Sequence, residues 1–362
     1  MALVFTGVTL SKVITSDVYA TFFVTLALIS SLAILKHGRT GAYIWAGVGL
    51  GLAVASKYNT ALVVLTILAA HFLRLGWKGL RDYRLYLCAS VAVLAFFVGM
   101  PYAFLSFNEF FQGFTTTAQR YASGHVGMEG NTLSFYLQYM WETGGILYLL
   151  AVLEILRGLI TRNKALITVV IFPVVYFIFI SSFFVRNDRT FLPVTPFAFM
   201  LAASFIYYLW QKAAEMNSQR LQVAGKVVVS AVLLVALILP SLNTARTSDM
   251  WATATSKETA RVWIDENLPK GSRIAYESYA PYIDPEVYQV TSLAMMIDQP
   301  AEWYRENGID YVVFGSGMYA RFYRDPERYP EQVQKYDLLF TEFELVKQFQ
   351  DDIFTVEIYR VE

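Results

Sequence analysis

The sequence predicts a polytopic α-helical membrane protein with a C-terminal α/β domain outside the cytoplasm, and three observations carry that reading. The 362 residues are 56% hydrophobic with a mean hydropathy of +0.42, too apolar for a soluble chain of two domains. The apolar residues come in runs about as long as a bilayer is thick. The charges are sorted: residues 1–242 carry 17 Lys and Arg against 8 Asp and Glu, and residues 243–362 carry 12 against 21, so a net charge of zero conceals +9 followed by −9. A membrane body, 1–242, is followed by a water-soluble domain, 243–362.

The apolar runs place about eight spans, at roughly 19–35, 42–56, 59–73, 85–104, 134–157, 165–184, 191–210 and 223–242. The second and third are separated only by Lys57 and Tyr58, with Asn59 opening the latter, and read as a tight helical hairpin. A single bent span there would reverse everything downstream. Loop charges favour the hairpin: with it, 12 basic residues (Lys36, Arg39, Arg74, Lys78, Arg81, Arg84, Arg157, Arg162, Lys164, Lys212, Arg220, Lys226) fall on one side. Only Lys12, Lys57, Arg120, Arg186 and Arg189 fall on the other. The positive-inside rule makes the first side cytoplasmic and turns the segments 11–18, 57–58, 105–133 and 185–190, with the acidic domain, outward. This predicts a multi-pass membrane protein with an extracytoplasmic C-terminal domain.

The apolar stretch 1–10 is too short to cross a membrane and has no basic leader or cleavage site, so it reads as the tail of a preceding span. The single cysteine, Cys88, opens a span and reads as packing. After Pro240 the pattern changes. Ser256 can cap a helix to about Asn267, and Leu268-Pro269-Lys270-Gly271 ends it before a strand near 273–276. A helix at 300–307 precedes the strand-like 309–315, then a helix near 328–340 and two strands joined near Asp351 and Asp352. These elements predict a small α/β domain with a mixed sheet. The chain has no internal repeat, phosphate-binding Gly loop or Cys/His cluster with metal spacing.

The polar residues that remain collect at the outer face. Asp17, in ITSDVYATFF, stands where a span enters from outside. There Ser16 or Asp17 can cap the helix, and the carboxylate can also take a hydroxyl proton or coordinate a cation. Lys57, Tyr58 and Asn59 put a cation and two hydrogen-bonding groups at the hairpin tip, where the alternatives are snorkelling and the aromatic belt. The loop RYASGHVGMEGNT, 120–132, offers His125 and Glu129 as titratable groups among three glycines suited to tight turns or a close approach. Glu142 falls about eight residues into the next span, where an acid must face protein or water, whereas Glu154 can pair with Arg157. In RNDRTFLPVTPF, 186–197, Arg186 and Arg189 oppose the dipole of the following helix, which points to an anion such as phosphate. The alternative is an interfacial anchor with Asp188 paired to an arginine.

Together SDVYATFFVTLAL, GLGLAVASKYNTAL, the GHVGMEGNT loop, RNDRTFLPVTPF and ARVWIDENLPKGS resemble bacterial polyprenyl-phosphate-dependent glycosyltransferases of the C superfamily, relatives of the protein O-mannosyltransferases and the lipid A aminoarabinose transferase. The resemblance implies transfer of a sugar from a polyprenyl-phosphate donor to a lipid, glycan or protein acceptor on the outer side of the membrane, with inversion. It matches Asp17 to the family's second acidic motif, Lys57 and Arg189 to basic positions near the donor phosphate, Arg186 more weakly to the same role, and His125 to a loop bordering the acceptor cavity. Tyr58 and Glu129 join His125 as acceptor-cavity residues, and Glu142 joins Asp17 as a catalytic candidate. Members of the family also carry an earlier span and a first outer loop with an acidic base, and this chain starts after both. Either the sequence is a fragment or mis-started form, or it has lost that base, and the expectation is that these 362 residues bind donor and transfer poorly. The sequence identifies no cofactor with certainty, a divalent metal is compatible although no ligand set identifies it, membrane lipids are partners, and nothing points to nucleic acid. A non-catalytic lipid-handling or transport protein is the competing class, but polar groups gathered at one face without repeated halves fit it poorly.

Overall fold

A computed structural model describes residues 15–124, 127–250, 254–351 and 354–362. The apolar stretch 1–10, Lys12 and Asp352 lie outside the described residues. Contacts divide the chain into two units, one reaching to Ser248 and the other comprising Asp249–Glu362 with a short stretch around Gly127.

The first unit is helical. It contains α1 (Ser16–His37), α2 (Thr40–Ser56), a 3-10 turn (Tyr58–Val63) leading into α3 (Val64–Leu75), α4 (Tyr83–Gly99), the single turn α5 (Tyr102–Leu105) and α6 (Phe107–Ser123). Then come α7 (Thr132–Thr143), α8 (Ile146–Thr161), α9 (Lys164–Ser181), a 3-10 turn (Asp188–Val194), α10 (Thr195–Ala214) and α11 (Gln219–Met250). Among the described residues five stretches are long and apolar enough to cross a membrane: Ser16–His37, Tyr58–Arg81, Lys164–Ser181, Asp188–Ala214 and Gln219–Arg246. α2 and α4 are shorter apolar helices at two other expected positions, and α7 with α8 supplies the eighth as a broken pair.

Three expected boundaries change. The stretch 134–157 is not one helix, because α7 and α8 meet at a bend of 114°. Gly145 takes φ 42° there, and the Tyr148 ring fills the space a side chain on Gly144 would need. α4 ends at Gly99 rather than running to 104, since Pro101 follows and supplies no amide hydrogen. α11 passes through Pro240 to Met250.

The hairpin at Lys57 is real. Tyr43, near the start of α2, donates its hydroxyl to Nδ1 of His71, near the end of α3, at 2.8 Å, while Nε2 of His71 donates to the Gly79 carbonyl at 3.0 Å. Residues equally far from the tip therefore meet, as antiparallel helices require. α2 packs tightly on both sides through small residues: side chains on Gly47 and Gly51 would strike the Cys88 and Ala92 carbonyls of α4, and one on Gly49 would strike the α1 backbone at Phe23 and Ala27. At the end of the bundle away from Lys57, basic residues from two expected cytoplasmic loops converge on backbone carbonyls. Arg84 bonds to the Gly38 carbonyl and pairs with Asp82, Arg74 reaches the Leu35 carbonyl at 2.9 Å, and Lys164 reaches that of Leu73 at 2.9 Å. Glu154 is fully buried and held by Arg157 through two 2.6 Å bonds, with Ser204 donating to the same carboxylate.

The second unit is a five-stranded mixed sheet in the order β2-β1-β3-β5-β4. β1 (Arg273–Glu277) is parallel to β2 (Gln289–Leu293) and to β3 (Tyr311–Gly315), whereas β4 (Glu344–Gln350) and β5 (Thr355–Arg360) run antiparallel. Its helices are α12 (Ser256–Asn267), α13 (Ala301–Glu306), α14 (Ser316–Tyr323) and α15 (Pro330–Glu342). β2 and α14 are additions to the expected elements. Thr255, not Ser256, caps α12, its hydroxyl accepting from the Glu258 amide at 3.3 Å. Alternating residues of β3 divide between two cores: Val313 packs with Ile264 and Ile358, and Phe314 with Phe322 and Tyr336.

Candidate functional site

The bundle end that carries Lys57 gathers the polar residues that look functional. Asp17 lies in the first turn of α1, where the helix dipole favours a carboxylate. Neither Ser16 nor Asp17 caps that helix; the cap position is Thr15, which makes no side-chain cap bond. The Asp17 side chain instead reaches across to the hairpin tip, where Lys57 Nζ stands 2.5 Å from Oδ1, with the two side chains 16% and 7% exposed for Lys57 and Asp17. Lys57 Nζ also stands 3.4 Å from Thr190 Oγ1. Three residues from distant parts of the chain thus share one buried polar point. Two residues on, Asn59 Oδ1 is buried with no donor.

The segment that delivers Thr190 is held rigidly. Phe191 is fully buried among Tyr136, Tyr139, Tyr148 and Phe177. The Tyr136 hydroxyl donates to the Asn187 carbonyl at 3.1 Å and that of Tyr176 to the Thr190 carbonyl at 3.0 Å. Those grips fix the backbone of Arg189, whose amide donates to Asp188 Oδ1 at 2.8 Å and to Asn187 Oδ1 at 3.1 Å. The Arg189 side chain is exposed. Its residue stands in the 3-10 turn ahead of α10, not on the first turn of an α-helix as expected. Asp188 accepts from a backbone amide, so the expected Asp188–arginine anchor does not form among the described residues.

Arg186 and Glu129 belong to a second feature. Glu129 forms an antiparallel bridge with Val185, and the Gly130 amide donates to the Phe184 carbonyl at 3.1 Å. Thr132 donates to the Ser181 carbonyl at 2.8 Å, which completes the clasp. A side chain on Gly130 would meet the Arg186 guanidinium at 2.8 Å, so this glycine makes room for a residue of the protein itself. Tyr58 turns into an aromatic cluster: its ring packs edge-on against Phe110 and Phe114, and its hydroxyl reaches Met100 Sδ at 3.5 Å.

Glu142 was expected about eight residues into a span, where an acid must face protein or water; the break after Thr143 puts it near a helix end, exposed, accepting from Gln138 at 2.7 Å. No hydrogen bond or ion pair joins it to Asp17 or Lys57. His125 lies outside the described residues. Among the described residues no group of three His, Cys, Asp or Glu could hold a metal. Sequence reasoning missed Thr190, Tyr136 and Tyr176, since nothing in a tyrosine within an apolar run says that its hydroxyl grips a carbonyl some 14 or 51 residues away.

Residues 1–102 match the family model of dolichyl-phosphate-mannose-protein mannosyltransferases. The structure of ArnT from Cupriavidus metallidurans bound to undecaprenyl phosphate is similar to 95% of this chain and 74% of its own, with a TM-score of 0.51 at 14% identity. The apo state of that protein gives a TM-score of 0.49 at 13% identity over the same shares. The archaeal oligosaccharyltransferase AglB from Archaeoglobus fulgidus, in complex with an inhibitory peptide and a dolichol-phosphate, gives 0.46 at 14% identity, over 85% of this chain and 53% of that one. A comparison with curated proteins found no match. The likeness to ArnT shows that the chain shares its fold.

Proposed function

We propose that this protein is a membrane glycosyltransferase that moves a sugar from a polyprenyl-phosphate donor to an acceptor on the outer side of the membrane, with inversion at the anomeric carbon. The observation that carries the reading is the buried Asp17–Lys57 pair beside the rigid Asp188–Thr190 turn. The family match and the ArnT structure bound to undecaprenyl phosphate support it.

In this mechanism the acceptor hydroxyl attacks the anomeric carbon while the bond from that carbon to the phosphate oxygen breaks. The electron pair leaves with the phosphate, and the hydroxyl proton passes to the Asp17 carboxylate. Lys57 opposes the charge left on the lipid phosphate, and Arg189 offers a planar fork to the same group. Arg186 and Glu129 shape the adjoining clasp, and Tyr58 borders the acceptor through its aromatic cluster. Catalysis is assigned to Asp17 alone, because Glu142 makes no contact with the pair. A lipid, glycan or protein can serve as acceptor.

The test uses the whole chain in lipid nanodiscs, with transfer measured from a panel of polyprenyl-phosphate sugars, alongside Asp17→Asn. Donor-dependent product that disappears in Asp17→Asn supports the proposal. Failure to bind any polyprenyl-phosphate sugar would overturn it, and transfer that persists in Asp17→Asn would remove Asp17 as the base. Orientation is checked with Lys270→Cys in a Cys88→Ser background, because Lys270 is exposed whereas Ser256 is buried. An impermeant maleimide should label it in intact cells, and protection until lysis would reverse the topology.

A further inference from the structure

α6 (Phe107–Ser123) carries apolar side chains at 107, 110, 111, 114 and 118, the i, i+3, i+4, i+7 spacing of one narrow stripe, while Glu109, Gln112 and Thr116 lie away from it. Within the chain the stripe is only half covered. Phe110 and Phe114 pack on Tyr58, and Phe110 also meets Phe96 of α4. Phe107 is 60% exposed and Phe111 53%, their rings stacked on each other with centroids 6.0 Å apart. Phe104, 76% exposed, continues the surface onto Phe97 and so onto α4, an apolar helix of the membrane bundle.

A helix with a full aromatic stripe, a polar opposite face and few charges fits an apolar–water boundary. The exposed aromatics run without a gap into the surface of a membrane helix, so the same lipid that surrounds α4 is the medium that meets them. We propose that α6 lies in the plane of the membrane surface, at the bundle end that holds Asp17 and Lys57, with Phe107 and Phe111 inserted among lipid chains and Gln112 and Thr116 in water. Phe110 and Phe114 of the same stripe then hold Tyr58, the neighbour of Lys57, so the bilayer supports the wall beside the ion pair. This placement depends on the protein being a membrane protein and not on the reaction it performs.

The experiment places a fluorescent thiol label at Phe107→Cys, Phe111→Cys, Gln112→Cys and Thr116→Cys in a Cys88→Ser background, with the full chain in nanodiscs. Brominated phosphatidylcholine should quench the labels at 107 and 111 at least threefold more strongly than those at 112 and 116, and aqueous iodide should show the reverse order. Equal lipid quenching at all four positions would overturn the proposal, as would strong iodide quenching at 111. Protection of 107 and 111 from both quenchers would also overturn it, since protein and not lipid would then cover the stripe. The single substitution Glu109→Cys repeats the polar-face reading at a third position, so that a failure of one variant to fold leaves the pattern readable.

Discussion

Replacing Asp17 by Asn separates two roles of the buried pair. In the unliganded protein Lys57 gives its ammonium to Asp17 at 2.5 Å, with side chains 16% and 7% exposed. A lipid phosphate that recruits Lys57 must compete with that carboxylate. A hydrogen bond to a charged group contributes about 1.5–3 kcal/mol, and an approaching phosphate would keep part of the original contact, so the competition costs about 1 kcal/mol. Asp17→Asn keeps the shape, removes the charge and should tighten binding of undecaprenyl phosphate by about fivefold, since 1.4 kcal/mol is tenfold. The same variant loses the proton acceptor and should lose transfer. The assay pair is lipid binding in nanodiscs, by displacement of a fluorescent polyprenyl phosphate, and product formation on the same preparation. Unchanged or weaker binding in Asp17→Asn would refute the competition. Transfer at the parental rate would refute Asp17 as the base.

Arg189→Lys replaces a planar fork by a point charge at an exposed position, and should weaken undecaprenyl phosphate binding by about 1 kcal/mol while leaving thermal unfolding unchanged; equal affinity would leave Arg189 an interfacial residue. Gly51→Val forces a branched side chain against the Ala92 carbonyl of α4 and should destabilise the bundle by about 1–3 kcal/mol, whereas Gly41→Ala, with open space around it, should be neutral in the same unfolding assay. In the second unit Glu277 is fully buried and accepts from the Tyr336 hydroxyl at 2.7 Å and from the Met296 and Gly315 amides, both at 3.1 Å. Burial outweighs those donors and lifts its carboxyl to about 7. A carboxyl raised on folding contributes stability that is complete below its ordinary range and is lost as pH rises through about 7. The unit should therefore resist proteolysis better at pH 6 than at pH 8, with a difference of about 1 kcal/mol, and Glu277→Gln should remove most of that dependence. Equal resistance at the two values in the parent would contradict the reasoning.

Most of the architecture was legible because membrane solvation is written into the chain. The apolar runs gave the helices, and the loop charges gave the hairpin at Lys57 that the Tyr43–His71 bond bears out. The strand-like 309–315 and its neighbours gave a mixed sheet. What escaped was set by local geometry. The Gly144–Gly145 pair sits in an apolar run whose composition is that of one span, and only the φ of Gly145 and the room Tyr148 takes reveal the bend. α6 was hidden inside a segment taken as an outer loop, although its phenylalanines at 107, 110, 111 and 114 already carry a helical period.

For the site, the sequence by itself determined which residue types stand where a span meets water: an acid at 17, a lysine at 57 and arginines at 186 and 189. Period and charge are one-dimensional, and they can say that these residues share an end of a bundle. Only the tertiary structure decided that Asp17 and Lys57 meet, that Thr190 joins them, and that Glu142 stays outside. The reason is physical: 2.5 Å of separation across 40 residues depends on how α1 and the hairpin pack and on the hydroxyls of Tyr136 and Tyr176 gripping one turn. Those are long-range contacts that hydropathy does not encode.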